Sequence, residues 1–600
     1  MNHVSPSARP GMGATPYPDG TTFRVWAPHA DQVYVAGTFN GWSKRAHPLA
    51  PEDDGCWSAD VSGVQLGDEY KYVIISGDEE LWRIDPYARQ VTSSVGNAVV
   101  HDPVFDWGSD DFRTPPWNEM VIYEMHVGTF NDQPGGPPGN LDAAVEKLGY
   151  LQNLGVNAVK MMPPMEFAGG FSWGYNPAYI FAIESDYGGP IAFKEFVRAA
   201  HAHGIAVIFD VVYNHFGPSD LDLWQFDGWS ENDRGGIYFY NDWRAGTPWG
   251  PRPDYGRGRV RQYIRDNCLM WLQEYRVDGL RWDATAYVRN ARGHDNDPAH
   301  DIPEGWSLMQ WINDEIDARQ PWKICIAEDM RDNPWITRDT GAGGAGFDAQ
   351  WDARFVHAVR AALVPPDDRA RDAYAVRDAI RHRYNADAFQ RVIYTESHDE
   401  DANGKSRLPE EIWPGNAESW ASKKRSTLGA ALVFTSPGIP MIFQGQEFLE
   451  DEWFHDQDPI DWSKKDRHSG ILQMYRDLIR LRRNAQGITR GLCGHHVHVH
   501  HVNDADTVIA FHRWERGGPC DSTVVVVNLA NRGYDSYNVG FPRDGVWRVR
   551  FNSDWNGYDP AFGNHYSYDT VAHWGARDEM DYNGDVGLGP YTAIVLSQDE

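Results

Sequence analysis

An alternation of helical and apolar segments runs from about residue 120 to about residue 485, and it constrains the fold of this 600-residue chain more than any other feature. Three times, a helical pattern ends at a glycine or a turn, and an apolar strand follows. The three pairs are LDAAVEKLGYLQNLG (141–155) before VNAVKMMP, IAFKEFVRAAHAHG (191–204) before IAVIFDVVY, and VRQYIRDNCLMWLQEY (260–275) before VDGLRWD. Gly155 is placed to cap the first of these helices. Such a repeat predicts a parallel (β/α)8 barrel.

Short alternating strands stand on both sides of this region, which is typical of all-β domains. They include TTFRVWAP (21–28), QVYVAGTF (32–39) and EYKYVII (69–75) before it, and TVIAFHRW (507–514), STVVVVNLA (522–530) and WRVRFNSD (547–554) after it. The predicted fold class is α/β, a (β/α)8 TIM barrel flanked by N-terminal and C-terminal all-β sandwich domains. The predicted boundaries are a polar tail at 1–15, an N-terminal β-sandwich at 16–105, the barrel at 116–485 and a C-terminal β-sandwich at 486–600. A loop domain rich in Trp, Asp and Gly, at about 216–258, is predicted to be inserted after the third barrel strand.

The charge of the chain excludes two classes of partner. It carries 55 Lys and Arg against 86 Asp and Glu, a net charge of −31. Such an acidic protein repels nucleic acid and anionic membranes, so a neutral partner such as a carbohydrate fits better. The 26 Trp and 28 Tyr residues allow two interpretations. Flat aromatic faces suit sugar rings, but large domains also bury aromatic side chains.

The cysteines and the hydropathy favour a protein of the reducing interior of the cell. The five cysteines are scattered and form no C-x-x-C pair, which argues against a disulfide framework or a zinc site. The start MNHVSPSARPGMG has no apolar core of a signal peptide. No run of about 18 apolar residues predicts a membrane span. We expect a cytoplasmic protein, either a monomer or a small homo-oligomer.

Four short blocks place polar side chains where apolar strands run into loops. They are DVVYNH ending at His215, GLRWDA around Asp283, IAEDM around Glu328 and ESHDE around Asp399. A single acid at a strand end is more often a cap or a solvated loop residue. Four blocks in order, three of them with a His or Arg beside the acid, instead predict one site, because the C-terminal ends of barrel strands converge.

The residue types in two of these blocks predict glycoside chemistry. Arg281 lies two residues before Asp283, so both side chains point to one side of the strand and the guanidinium keeps the carboxylate ionised, as a nucleophile requires. Glu328, among apolar and acidic neighbours, is expected to have a raised pKa and to donate a proton. If the two carboxyl groups lie about 5–5.5 Å apart, the anomeric configuration is retained through a covalent intermediate.

Together the four blocks resemble the four signature regions of the α-amylase family, glycoside hydrolase family 13. The resemblance implies that Asp283 is the nucleophile, Glu328 the general acid and base, and Asp399 a third acid that binds the 2- and 3-hydroxyls of the sugar. It also implies that other residues contact the sugar at the cleavage point or support it: Tyr175, Asp210, His215, Arg281 and His398. FRVWAPHADQVYVAGTFNGW resembles the carbohydrate-binding module that precedes the barrel in several members.

The resemblance leaves two activities open. ESHDEDANGK (396–405), DYGRGRVRQY (254–263) and GQEF (445–448) resemble 1,4-α-glucan branching enzymes. VIYEMHVGTF, MMPPMEFAGGFSWGYNP, VVYNHFGPSD and TPWG resemble maltooligosyltrehalose trehalohydrolases. The first choice is glucan branching through a glycosyl-Asp283 intermediate, and the alternative is hydrolysis of α-1,4 bonds in maltooligosaccharides. A non-catalytic glucan-binding protein is a third candidate, but it predicts the loss of at least one acid, and all three are present.

Two features suggest a metal but are given less weight. HHVHVHH (495–501) has His on a shared strand face, yet no carboxylate or Cys stands at ligand spacing, so a partly exposed strand is favoured. Asn214 aligns with a calcium ligand of many α-amylases, but the inserted region does not supply the other ligands. We therefore expect no cofactor and no obligatory calcium. Trp224, Trp229, Trp243 and Trp249 are candidate sugar platforms, with packing of the insertion as the equal alternative.

Overall fold

The fold is taken from a computed structural model of the chain, which describes residues 5–600. Residues 1–4 of the predicted polar tail lie outside the described residues. The N-terminal part is all-β, and each strand pairs with its neighbours in the order β1-β2-β5-β4-β3-β6-β7, with β8 against β6. Its strands are β1 (Gly13–Tyr17), β2 (Gly20–Trp26), β3 (Gln32–Gly37), β4 (Pro48–Pro51), β5 (Cys56–Ser62), β6 (Glu69–Ser76), β7 (Glu79–Arg83) and β8 (Ala98–Val99).

The middle of the chain closes into a parallel barrel in the order β10-β13-β14-β15-β16-β17-β18-β9. Its strands are β9 (Ile122–Met125), β10 (Ala158–Met161), β13 (Ala206–Val211), β14 (Gly279–Trp282), β15 (Ile324–Ala327), β16 (Ala349–Trp351), β17 (Arg391–Ile393) and β18 (Ile439–Phe443), with the hairpin β11 (Met165–Phe167) and β12 (Pro177–Ile183) outside it. All eight barrel strands are buried along their whole length, as expected for strands covered on both faces.

Helices surround the barrel, separating most of its strands along the chain. They are α1 (Val127–Phe130), α2 (Leu141–Val145), α3 (Leu148–Leu154), α4 (Gly189–Ala202), α5 (Gly258–Gln273), α6 (Thr285–Arg289), α7 (Pro303–Arg319), α8 (Ala353–Leu363), α9 (Ala373–Arg381), α10 (Leu408–Ile412), α11 (Trp420–Thr435), α12 (Lys464–Arg467) and α13 (Ser469–Arg482). None of them is both long enough and apolar enough to cross a membrane.

The helix predicted over 141–155 is interrupted, which the sequence pattern did not show. The side-chain amide of Asn131 donates to the carbonyl of Ala143 at 2.7 Å, and Lys147 N–H therefore bonds Ala144 instead, at 3.1 Å. This diversion of the hydrogen-bond ladder separates α2 from α3. The predicted cap is present: Gly155 has φ 103° and its N–H bonds the last carbonyls of α3.

The inserted segment, predicted at 216–258, follows the third barrel strand, β13. Up to the start of α5 at Gly258, its one helical element is a short 3-10 turn, Gly236–Tyr238. It packs against the N-terminal all-β part through polar contacts. Asp227 accepts from His29 N–H at 2.9 Å, and Asp222 accepts from Ile84 N–H at 2.7 Å. Trp229 stacks on the ring of His29, with centroids 4.7 Å apart. The insertion is thus held against its neighbour rather than free in solvent.

The C-terminal part is again all-β, and the predicted fold class is confirmed. Its eight strands pair in the order β19-β20-β21-β26-β23-β24-β25-β22. They are β19 (His496–Asn503), β20 (Val508–Trp514), β21 (Thr523–Asn528), β22 (Tyr534–Phe541), β23 (Gly545–Asn552), β24 (Thr570–Arg577), β25 (Met580–Leu588) and β26 (Thr592–Ser597). A buried ion pair between Lys424 of α11 and Asp554, 2.7 Å apart, joins this part to the barrel. The five cysteines are all free.

Candidate active site

The register of the barrel places the predicted acids side by side. Trp282 of β14 pairs with Ala327 of β15, so the next residues, Asp283 and Glu328, leave the barrel at the same height. The backbone N–H of Glu328 bonds the carbonyl of Trp282 at 2.9 Å, which extends the ladder by one step. This placement follows from parallel pairing and strand length alone.

A cavity of about 340 Å³ opens where these strands end. Six of the eight residues predicted for the site line it: Tyr175, His215, Asp283, Glu328, His398 and Asp399. The other two, Asp210 and Arg281, lie fully buried beneath it. The structure therefore brings together all eight predicted site residues, although they are spread from Tyr175 to Asp399 in the sequence.

Arg281 connects three carboxylates. One of its terminal nitrogens lies 2.9 Å from Asp210 and 2.9 Å from Asp283, and the other lies 3.6 Å from Glu328. The contact with Asp283 is the one that their i, i+2 spacing predicted. Because one cation reaches both Asp283 and Glu328, it fixes the two carboxyl groups relative to each other.

Burial raises the pKa of both acids of this pair. Burial raises the pKa of Glu328 to about 8, with the charges of Asp283 and Asp399 adding to the rise and Arg281 opposing it. Burial also raises the pKa of Asp283, in the direction opposite to the effect of Arg281 that their spacing predicted. At Asp283 the rise is opposed by Arg281 and by the hydrogen bond from Asn214, 2.8 Å away. Glu328 is therefore suited to hold a proton near neutral pH.

Two charged residues beneath the cavity were missed by the sequence analysis. Lys160 of β10 lies 2.9 Å from Glu124 of β9 and 2.5 Å from Asp210. Glu124 in turn accepts from the ring of His398 at 2.7 Å. Although burial opposes it, Lys160 and His398 hold the pKa of Glu124 below its ordinary value. A lone charge within an otherwise apolar strand, as in IYEM and AVKM, is the signal that could have found both residues.

Tyr175 forms one wall of the cavity. Its hydroxyl donates to Asp210 at 2.7 Å, and its ring stacks on His398 with centroids 4.9 Å apart. His215 is fixed by its Nε2 atom, 2.7 Å from the carbonyl of Tyr175, and burial lowers its pKa to about 4. His215 is consequently neutral at pH 7. These contacts make a flat, rigid face suited to a pyranose ring.

Asp399 is the most accessible acid of the three. Half of its side chain is exposed (49%), against 13% for Asp283 and 15% for Glu328. Its nearest partners are His398, at 3.5 Å, and the side-chain amide of Asn403, at 3.4 Å. Asp399 thus keeps lone pairs available for ligand hydroxyl groups.

The surroundings of Asn214 do not fit a calcium ligand. Its amide nitrogen donates to the backbone and the side chain of Asp283, at 3.0 and 2.8 Å. Its oxygen contacts the ring of His215 at 2.6 Å. The amide nitrogen and the oxygen of Asn214 are thus both occupied by contacts with Asp283 and His215.

The four tryptophans of the insertion divide between the two interpretations. Trp249 lines the cavity and packs edge-on against Tyr287, with centroids 5.0 Å apart. Trp229 packs against the N-terminal part, as described above. Trp224 and Trp243 are exposed but lie outside the lining of the cavity. Only Trp249 of this group is placed to meet a sugar in the cavity.

Three family models match the chain. Carbohydrate-binding module 48 (isoamylase N-terminal domain) matches residues 11–88, the alpha amylase catalytic domain matches 123–225 and 221–480, and the alpha amylase C-terminal all-beta domain matches 498–599. The catalytic model covers more than half of the sequence, and it spans every residue of the cavity. The chain therefore belongs to the α-amylase family, glycoside hydrolase family 13.

Similar proteins of known name include two bacterial 1,4-alpha-glucan branching enzymes. That of Salinibacter ruber is 31% identical, over 98% of this chain and 96% of its own length. That of Xanthomonas euvesicatoria pv. vesicatoria is 31% identical, over 89% of this chain and 74% of its own length. The fold is shared with a putative alpha amylase from Salmonella typhimurium, with a TM-score of 0.74 at 23% identity over 98% of this chain and 99% of that one. It is also shared with a pullulanase from Anoxybacillus sp. LM18-11 in complex with maltotriose. The TM-score is 0.75 at 24% identity, over 98% of this chain and 85% of that one.

Proposed function

We propose that the chain is a retaining 1,4-α-glucan branching enzyme, which transfers a segment of an α-1,4-glucan to a 6-hydroxyl group. The observation that carries the chemistry is the pair Asp283 and Glu328, held by one guanidinium beside the cavity. The family and the branching enzymes among its relatives support the choice of substrate and reaction.

In the first half-reaction, the Asp283 carboxylate attacks the anomeric carbon of the bound sugar. Glu328 donates its proton to the leaving glycosidic oxygen, so the old C–O bond breaks as the glycosyl-Asp283 ester forms. The raised pKa of Glu328, about 8, keeps that proton available at neutral pH. Tyr175 and His398 provide the face against which the sugar ring stacks.

In the second half-reaction, the ionised Glu328 removes a proton from the 6-hydroxyl of the acceptor glucan. The acceptor oxygen then attacks the anomeric carbon, the ester to Asp283 breaks, and an α-1,6 branch forms with retained configuration. Water in place of the acceptor gives hydrolysis by the same steps. Hydrolysis of maltooligosaccharides, including trehalose-capped ones, is therefore the second candidate, favoured by the TPWG and SWGYNP motifs that lie beside the cavity.

Product analysis after incubation with amylose tests this proposal. Branching is expected to release few reducing ends directly and many new chains after treatment with a debranching enzyme. Reducing ends that rise at once, with nothing further released by debranching, would show a hydrolase. Asp283→Ala is the control in both assays. An enzyme loses its turnover with this change, whereas a non-catalytic glucan-binding protein is unaffected.

Several expectations stay predictions. They are the absence of a cofactor and of obligatory calcium, the monomeric or small homo-oligomeric state, the cytoplasmic location, the domain boundaries 16–105, 116–485 and 486–600, and the individual roles of the site residues. The neutral sugar substrate is consistent with the acidic surface, which disfavours nucleic acid and anionic membranes.

A further inference from the structure

A second cavity of about 670 Å³ lies beside the catalytic cavity, within the range of small-molecule sites. Helix α7 and the loop after β15 form its walls, and each contributes a tryptophan, Trp306 and Trp335. The chemistry described above uses neither residue. We call this cavity the α7 groove.

The two indoles have a common neighbour, Gly343. The ring N–H of Trp306 donates to the carbonyl of Gly343 at 3.3 Å. The Trp335 ring lies beside the same glycine, 3.9 Å from the position a Cβ atom would take there. Trp335 is 43% exposed, and Arg338 packs on its ring at 4.4 Å. An exposed aromatic face held in place this way costs little entropy when a ligand stacks on it.

Three carboxylates line the groove, and each already has a partner in the protein. Asp295 pairs with Arg289, and Asp301 accepts from Asn290 at 2.9 Å. Asp332 pairs with Arg354 and lies 3.2 Å from His382. The partner of Asp301 is an uncharged amide, and Arg289 is shared by Asp295 and Asp329, so the groove keeps an acidic character. It offers lone pairs to hydroxyl donors and repels anions. Aromatic faces beside carboxylate acceptors suit an uncharged polyhydroxyl ligand, which is the chemistry of a glucan chain.

A single buried ion pair separates the groove from the catalytic cavity. Asp329, which follows Glu328 and lines the catalytic cavity, accepts from Arg289 at 2.8 and 2.9 Å, and Arg289 lines the groove. The segment from Met330 to Trp335 runs from one cavity to the other. The groove therefore adjoins the part of the catalytic cavity that is formed by the residues after Glu328.

We propose that the α7 groove binds the acceptor α-glucan chain, with Trp306 and Trp335 as its sugar platforms. This inference rests on the proposed branching function. Glu328 activates the acceptor hydroxyl, so an acceptor must approach from the Glu328 side. The groove adjoins that side, and its volume of about 670 Å³ exceeds that of a single sugar ring. The donor sugar that forms the ester remains against Tyr175 and His398.

The test compares Trp306→Ala/Trp335→Ala with Trp574→Ala, a truncation of a tryptophan of β24 that is 79% exposed in the C-terminal part. Branching of amylose by the double variant is expected to fall about tenfold more than its hydrolysis of a short chromogenic maltooligosaccharide, with a raised KM for added acceptor glucan. The Trp574 variant should keep both activities. Equal losses of the two activities in the double variant would overturn the acceptor role.

A binding measurement separates this proposal from the proposed function. In the inactive Asp283→Asn background, calorimetric titration with maltoheptaose should show two classes of site, and the double tryptophan variant should lack one. If the parent shows a single class that the tryptophan changes leave intact, the groove binds no glucan. If the parent enzyme forms no branches but the second class is present, branching fails as the function and the acceptor role fails with it, while the groove remains a glucan site.

Discussion

The backbone N–H of Ala284 donates a hydrogen bond to the side chain of Glu328, with Oε2 at 2.6 Å. Ala284 directly follows Asp283, so the residue after the nucleophile orients the acid. It does so with φ 40°, a left-handed conformation that costs a non-glycine residue about 1 kcal/mol or more. The chain accepts this strain at the point where the two carboxyl groups must be set against each other.

Asp283→Asn and Glu328→Gln should separate the two proposed roles. Asp283→Asn is expected to lower kcat by about a thousandfold or more, because no nucleophile remains. Glu328→Gln should still form the glycosyl ester from a maltosyl fluoride, whose leaving group needs no proton, and then stall. Intact-protein mass spectrometry of the rapidly quenched reaction would detect the added glycosyl mass.

The adduct must map to Asp283 after proteolysis. An adduct in the Asp283→Asn protein, or its location on Asp399, would contradict the assignment of the nucleophile.

The pH profile of kcat/KM should have a basic limb near pH 8. The pKa of Glu328 is raised to about 8, and the acid must carry its proton to act, so activity falls as the pH rises through that value. Asp283 must be ionised, and burial raises its pKa, so activity also falls as the pH drops through that raised value. Measurement from about pH 4 to about pH 10 on a short chromogenic substrate resolves both limbs.

With a substrate whose leaving group needs no proton, the basic limb should vanish. Its persistence with that substrate would assign it to a group other than Glu328.

Gly174→Ala should disturb the placement of Tyr175. Gly174 has φ 92°, and a Cβ atom there would collide with the carbonyl oxygen of Pro163. The neighbouring Tyr175 ring would have to move, so we expect KM for maltooligosaccharides to rise about tenfold. Gly169→Ala is a matched control, because Gly169 has φ 85° in the same loop but open space around its Cβ position.

Both variants carry the cost of a left-handed alanine, about 1–2 kcal/mol of stability. Only Gly174→Ala should change KM, and the same change in both would remove the steric explanation. Steady-state kinetics with urea unfolding distinguishes these outcomes.

Lys160→Met should destabilise the protein by about 3 kcal/mol or more, because Glu124 and Asp210 would lose their shared buried cation. Urea unfolding measures this change in the free energy of unfolding. Adding Glu124→Gln to Lys160→Met should recover part of the loss, since it removes one of the unpaired charges. Lys44→Met, at an exposed ion pair, should leave stability almost unchanged.

Much of the site could be predicted from the sequence because its residues stand at strand ends. The barrel repeat tells where strands finish, and parallel pairing brings Asp283 and Glu328 to one level without any further information. Tyr175, His215 and Asp399 then follow from the family resemblance, residue by residue, and the structure places each at the cavity.

The parts that could not be predicted depend on contacts between distant side chains. Lys160 and Glu124 lie inside strands, and only the closed barrel shows that they meet each other and Asp210. The interruption between α2 and α3 arises from Asn131, a side chain outside the helical pattern. The pKa of Asp283 is raised because many surrounding residues bury its carboxyl group. The two-residue spacing between Arg281 and Asp283 could not reveal this burial.

The pairing that closes the barrel sets the order in which a growing chain can acquire activity. Strand β9, the first of the barrel, pairs with β18, the last, with Ile122 opposite Met441. This pair can form only after most of the polypeptide has been synthesised. During translation the N-terminal all-β part can fold early, since its strands pair among themselves. The barrel cannot close until β18 has left the ribosome, and the edges of β9 and β17 that pair with β18 stay exposed until then. A nascent chain that stalls before Ile439 would therefore be a substrate for chaperones, with its nucleophile and acid already made but not yet assembled.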